Sequence, residues 1–140
     1  MSDKLLDNVM TFETVTRDIR VAVQSYFLDE RSSPETDRFI WAYRIRIVNE
    51  GADIVTLLNR HWIITNGKGE VEEVRGAGVV GEHPRLEPGE SFTYTSGTPL
   101  TTPSGFMVGT YEFVNEAGEQ FHVDIPAFSL DSPHAELRIN

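Results

Sequence analysis

Cysteine is absent from the 140 residues, which excludes disulfides and thiolate metal sites. No apolar run approaches the roughly 20 residues that a membrane-spanning helix needs. The opening Met1-Ser2-Asp3-Lys4-Leu5-Leu6-Asp7 has no basic segment followed by an apolar stretch, so a secretory leader is not expected and a cytoplasmic location is. Basic residues are scarce, with 12 Lys and Arg against 22 Asp and Glu, a net charge of −10. The scarcity is lopsided: residues 1–85 carry 11 Lys and Arg against 14 Asp and Glu (−3), whereas residues 86–140 carry only Arg138 against 8 (−7). The field of that last third repels a phosphate backbone, so nucleic acid is not an expected partner. An acid excess of this kind serves solubility, or recruits a basic partner. Helical periodicity is nearly absent too, with only a weak signal over Asp3–Met10.

What the chain does have is alternation. Ile19, Val21 and Val23 share one face of a strand whose other face carries Arg20 and Gln24. Phe39, Trp41, Tyr43, Ile45 and Ile47 alternate with Ile40, Ala42, Arg44, Arg46 and Val48, a long strand with one aromatic, core-facing side. After the turn signal Asn49-Glu50-Gly51, a further strand places Ile54, Leu58, Trp62 and Ile64 on one face with Arg60. Asn66-Gly67-Lys68-Gly69 reads as a hairpin turn, followed by a short strand over Val71–Val74. Glu87-Pro88-Gly89-Glu90 is another turn, ahead of Phe92, Tyr94 and Ser96 in alternation. Phe106–Asn115 and Gln120–Leu130 form a last hairpin across Glu116-Ala117-Gly118. Seven or eight antiparallel strands at this spacing predict an all-β, two-sheet sandwich of immunoglobulin or fibronectin type. The missing Cys…Trp…Cys pattern favours the fibronectin type III-like variety. One domain over residues 1–140 is expected, with its core from about 14 to 130 and short tails.

Several segments carry a specific resemblance. Asn59-Arg60-His61-Trp62, Glu73-Val74-Arg75-Gly76-Ala77-Gly78-Val79-Val80-Gly81-Glu82, Leu86-Glu87-Pro88-Gly89-Glu90, Tyr94-Thr95-Ser96-Gly97, Gly109-Thr110-Tyr111 and Ile125-Pro126-Ala127-Phe128-Ser129-Leu130 together resemble the ApaG family, in order and from about Thr14 to Leu130. The resemblance implies a fibronectin type III-like sandwich. It further implies use as a binding module, since such domains occur as stand-alone bacterial proteins and within F-box and DNA-polymerase-delta-interacting proteins. It brings an association with cobalt resistance, magnesium efflux and diadenosine tetraphosphate hydrolysis, none of which names a reaction.

The candidate site is the run Arg75 to Arg85. Gly76, Gly78 and Gly81 spell G-x-G-x-x-G, but the dinucleotide fingerprint needs a helix after the glycines. Here Val79, Val80, Pro84 and Pro88 follow instead. Two readings remain. Successive backbone N–H groups could turn to one point and hold pyrophosphate or a (di)nucleoside polyphosphate, with Arg75, His83 and Arg85 around it. Alternatively the glycines serve a bulge and close sheet approach; Glu72, Glu73 and Glu82 nearby would oppose an anion. His61, His83, His122 and His134 have no metal-ligand spacing, although His122 and Asp124 could face the same way, so no metal or cofactor is expected. No nucleophile elbow, cysteine nucleophile or P-loop is present. Ser96, Thr102 and Ser104 lie in turn-like stretches, and an enzyme is not expected. Phe106 and Met107 beside Pro103-Ser104-Gly105 are candidate interface anchors or core caps. Exposed sheet edges could pair with a protein partner or a second copy, making a homodimer. The leading expectation is a non-enzymatic adaptor that contacts a protein partner through Arg75–Arg85. A phosphate-binding sensor is second, and an enzyme acting on such a compound is weakest.

Overall fold

Alternation drives the chain into two antiparallel sheets whose apolar faces meet. A computed structural model describes residues 10–135; of the helical signal over Asp3–Met10, all but Met10 falls outside the described residues. The strands run β1 Thr11–Thr16, β2 Ile19–Phe27, β3 Phe39–Asn49, β4 Val55–Asn66, β5 Val71–Ala77, β6 Arg85–Leu86, β7 Ser91–Leu100, β8 Gly105–Asn115 and β9 Gln120–Leu130. Single turns of 3₁₀ helix at Asp29–Arg31 and Pro34–Thr36 occupy the polar connection before β3. One sheet has the order β1-β2-β3-β7 and the other β5-β4-β8-β9, with β6 paired to β4 beyond β5. The chain is therefore an all-β sandwich. Among the described residues no helix is long and apolar enough to cross a membrane.

The inward face of β3 carries Phe39, Trp41, Tyr43, Ile45 and Ile47, all buried, and they meet Ile19, Val21 and Val23 of β2. From the opposite sheet come Leu57, Trp62, Met107, Tyr111, Phe113, Val123, Ile125 and Phe128. Burying such side chains supplies roughly 1.5–3 kcal/mol each. The Trp41 indole Nε1–H donates to the Asp131 carbonyl at 2.7 Å. Asn49, 1% exposed, donates through Nδ2 to the Asp53 and Leu86 carbonyls and accepts the Gly51 N–H at Oδ1.

Three expectations need correction. First, β4 does not keep one inward parity. A bulge between Leu57 and Asn59 shifts its register against β8. Val55 and Leu57 point inward before it, and Arg60, Trp62 and Ile64 after it, with Leu58 half-buried at the bulge. A bulge adds one residue and so exchanges the faces of everything beyond it. Second, Met107 is 1% exposed and belongs to the core, whereas Phe106 is 46% exposed; neighbours on a strand face opposite ways. Third, Ser96 sits within β7 rather than in a turn.

The two flanks of the sandwich differ. On one, β1 and β2 pack against β9, latched by the Asp124 N–H donating to Thr16 Oγ1, by Ser25 Oγ–H donating to the Ser129 carbonyl, and by Arg17 lying over Phe121 while pairing with Glu119. On the other, β5 and β7 end their sheets without comparable packing between them. That flank is open.

Candidate binding site

The glycine-rich segment lies on the open flank. The chain leaves the sheet edge at Ala77, the end of β5, and returns to the same edge at Arg85, the start of β6. The excursion spans the β4 bulge: the Gly78 N–H donates to the Leu58 carbonyl at 2.8 Å, and the Leu57 N–H to the Pro84 carbonyl at 2.9 Å. Its tip is a two-residue turn in which Val79 and Glu82 exchange both backbone hydrogen bonds at 2.9 Å. The central residues, Val80 (φ 44°) and Gly81 (φ 81°), are both left-handed. No helix follows the glycines.

Each glycine has its own steric reason. A Cβ on Gly76 would stand 2.7–2.9 Å from the guanidinium of Arg60, which lies directly on it. Gly78 has φ 64°, and a Cβ there would stand 2.3 Å from the Glu82 carbonyl oxygen. At Gly81 space is free, and only the positive φ selects glycine. The amides of Gly78, Val79 and Glu82 are committed to carbonyls, so these three do not converge on an external anion.

The charged residues of the segment also separate. Arg75 is exposed on the outer face of β5, opposite His61, and its guanidinium approaches Glu73 at 3.4 Å while His61 Nε2 meets the same carboxylate at 2.8 Å. Arg85 pairs with Glu87 and Glu116, both at 3.5 Å. Their partners on β4, His61 and Thr56, are five residues apart, about 16 Å along a strand. His83 folds back so that Nδ1–H donates to the Leu57 carbonyl at 3.1 Å. The structure thus bonds Gly78 and His83 to the β4 bulge, sets Gly76 within β5 and Gly81 at the tip of the turn, and leaves Arg75 and Arg85 apart, each beside a carboxylate.

A different arginine holds the central position. Arg60, inward on β4, donates from Nη1 to the carbonyls of Ala77 (3.0 Å) and Gly78 (2.8 Å). No carboxylate lies within ion-pair distance of it among the described residues. It lines a cavity of about 290 Å³ with Tyr43, Trp62, Tyr94, Ser96 and the Ala77–Gly81 turn. The Tyr94 and Tyr111 hydroxyls are hydrogen-bonded to each other beneath it. Burial raises the pKa of Tyr43, Tyr94 and Tyr111 above the usual phenol value, and the nearby positive charge of Arg60 only partly offsets this. These phenols therefore stay neutral around the arginine. Sequence reading sets Arg60 beside Trp62 but does not join it to Tyr43, Tyr94 and the glycine turn. The signal for that cluster is an arginine at an inward strand position directly across a hairpin from a glycine, in the register Arg60↔Gly76.

On the outer face of the second sheet, Asn59, His61, Arg75, Thr110, Glu112 and His122 line a shallow depression. His122 and Asp124 do face the same way, flanking buried Val123. Among the described residues no three His, Asp or Glu side chains are grouped to hold a metal ion.

Comparison with known proteins agrees with this architecture. The ApaG domain profile matches residues 29–115. Protein ApaG of Paramagnetospirillum magneticum is 58% identical over 129 residues, covering 92% of this chain and 99% of the relative. Protein ApaG of Rhodospirillum centenum is 60% identical over the same length and coverage. A crystal structure from Bordetella pertussis, described as an ApaA protein, superposes with a TM-score of 0.81 at 47% identity, covering 86% of this chain and 98% of that one. With a matching profile, relatives sharing more than half their residues and a like-folded solved structure, this chain belongs to the ApaG family.

Proposed function

We propose that this chain is a non-catalytic binding module whose contact surface is the open flank between β5 and β7. The observation that carries the reading is the asymmetry of the two flanks. One is latched shut by β1, β2 and β9, while the other has no comparable packing between its two edge strands, β5 and β7. An uncovered edge presents unpaired N–H and C=O groups on which an extended partner strand can add. The segment Arg75–Arg85 forms one lip of that flank, which ties the surface to the contact region expected from sequence. Val71 and Val80, 60% and 54% exposed, stand on the same lip as apolar anchors. Two buried hydroxyls are committed to structure. Thr102 Oγ1–H donates to the Ser104 carbonyl and Ser132 Oγ–H to the Pro103 carbonyl.

The test is site-specific photo-crosslinking in cells. A photoreactive side chain at Val71 or Val80 should capture a defined protein. The same group at Val15, 44% exposed on β1 of the closed flank, should not. Capture from Val15 alone, or equally from all three positions, would move the interface away from the open flank.

A further inference from the structure

We propose that the Arg60 cavity is a carboxylate-binding site, taking one planar carboxylate carried on an apolar or peptidic body. This deepens the reading of the open flank as a binding surface by naming the chemistry it recognises.

Arg60 carries a charge that no carboxylate balances among the described residues. A guanidinium cannot lose its proton in a protein, and a half-buried one usually finds a carboxylate. Two carbonyls take Nη1, and the flat face rests on Gly76, so the group is held in place while donors on Nε and Nη2 have no protein partner among the hydrogen bonds of the described residues. A carboxylate accepts from adjacent guanidinium nitrogens through two parallel bonds. Around the arginine, Tyr43, Tyr94 and Ser96 supply hydroxyls, and Tyr43, Trp62, Val79 and Val80 supply apolar walls. A few precisely placed polar groups in an aromatic-lined pocket are the usual composition of a ligand site.

The same inventory selects against phosphate. Among the described residues Arg60 is the one cation lining the cavity, and the Gly78, Val79 and Glu82 amides are already bonded. One cation with neutral hydroxyls balances a monoanion, and a net charge of −10 disfavours a dianion further. The rim is fixed in advance. Val79 and Glu82 lock the turn with two hydrogen bonds, and Val80 has a stiff, branched side chain.

The experiment follows backbone amide spectra of the whole protein during titration with sodium benzoate, with acetyl-trialanine, with the same peptide amidated, and with inorganic phosphate. Expected are saturable shifts at Ala77, Val79, Gly81, Tyr94 and Ser96 with benzoate or the free-acid peptide, and none with the amidated peptide. Whichever free carboxylate binds more tightly identifies the source, a small molecule or a chain terminus. Arg60→Gln should weaken binding at least tenfold. Because Arg60→Gln also removes two structural hydrogen bonds, Gly76→Ala serves as the second variant. It keeps the arginine but pushes its guanidinium off the floor, and should weaken binding by a similar factor in a protein whose remaining spectrum is unchanged. Silent spectra with both free carboxylates would overturn the inference, as would phosphate shifting the same amides equally at equal concentration. In either case, cross-links from Val71 and Val80 that persist would leave the open flank standing as a protein-binding surface.

Discussion

Replacing the three glycines of the excursion by alanine, one at a time, tests whether they are there for the fold. At Gly81 the added methyl meets nothing, so the cost is the left-handed backbone alone, about 1–2 kcal/mol. At Gly76 the backbone is ordinary and the obstacle is the end of a flexible side chain. The guanidinium moves aside and loses a hydrogen bond to Ala77 or Gly78, about 1 kcal/mol. Gly78 combines a φ of 64° with a backbone oxygen 2.3 Å from the new Cβ. The turn must open to relieve that contact, sacrificing the two reciprocal bonds between Val79 and Glu82. Adding the left-handed strain to those bonds gives about 3–4 kcal/mol. With a urea slope of roughly 1–3 kcal/mol per molar, Gly78→Ala should lower the unfolding midpoint by about 1–4 M. The other two should lower it by about half of that or less. Urea titration followed by tryptophan fluorescence reads the order directly. A Gly78→Ala protein no less stable than Gly81→Ala would refute the steric account and return the glycines to a ligand role.

Two further outcomes follow from buried polar groups. Burial holds Tyr94 and Tyr111 neutral well above the usual phenol value of 10.0, so their contribution is complete below pH 10 and declines as pH rises beyond it. The unfolded chain ionises first, and each phenol removes about 1.4 kcal/mol per pH unit until it titrates in the folded state. Urea midpoints should therefore fall steeply above about pH 10, and midpoints that stay level through that range would contradict the buried hydroxyl pair. Asn49→Ala leaves the Asp53 and Leu86 carbonyls and the Gly51 N–H without their partner. It should cost about 2–4 kcal/mol, read from the same titration, and a loss below about 1 kcal/mol would mean that water replaces the amide.

Legibility in the sequence followed the strength of the alternation. β2, β3 and β8 were readable because their apolar residues recur at every second position; β9 keeps that period only on either side of a register shift, burying Val123 and Ile125 and then Phe128 and Leu130. β1 was not anticipated. Thr11–Thr16 has burial only on alternate residues and never complete, so its hydrophobic contrast is weak. The parity of β4 was misread because a bulge leaves no composition signal in the strand that bears it. The correct inward set changes from Val55 and Leu57 to Arg60, Trp62 and Ile64 across a single residue. The G-x-G-x-x-G run was conspicuous and its chemistry was not, because three unrelated steric demands happen to produce the same spacing. Arg60 shows the opposite case. The turn at Asn66–Gly69 fixes the hairpin register, and continuing that register sets Arg60 opposite Gly76 and His61 opposite Arg75. The juxtaposition could be worked out from the sequence. The alternation also sets Arg60 on the inward face with Trp62 and Ile64, as found; what the bulge hid was that Val55 and Leu57, not Ile54 and Leu58, point inward before it.

The strand order also governs how quickly the native state can be reached. β8 and β9 are joined by a short turn, and so are β4 and β5, but the central seams are remote in sequence. β3 pairs with β7 through Phe39↔Leu100, and β4 with β8 through Val55↔Asn115. Neither seam can zip from a local nucleus, since the intervening loop must close before any contact repays its entropy. Isolated hairpins are marginal in water, and each of these has an apolar face that only the facing sheet can dry. During synthesis the chain therefore stays without a core until β8 has emerged, and refolding belongs in the slow regime of non-local β proteins, milliseconds to seconds rather than microseconds.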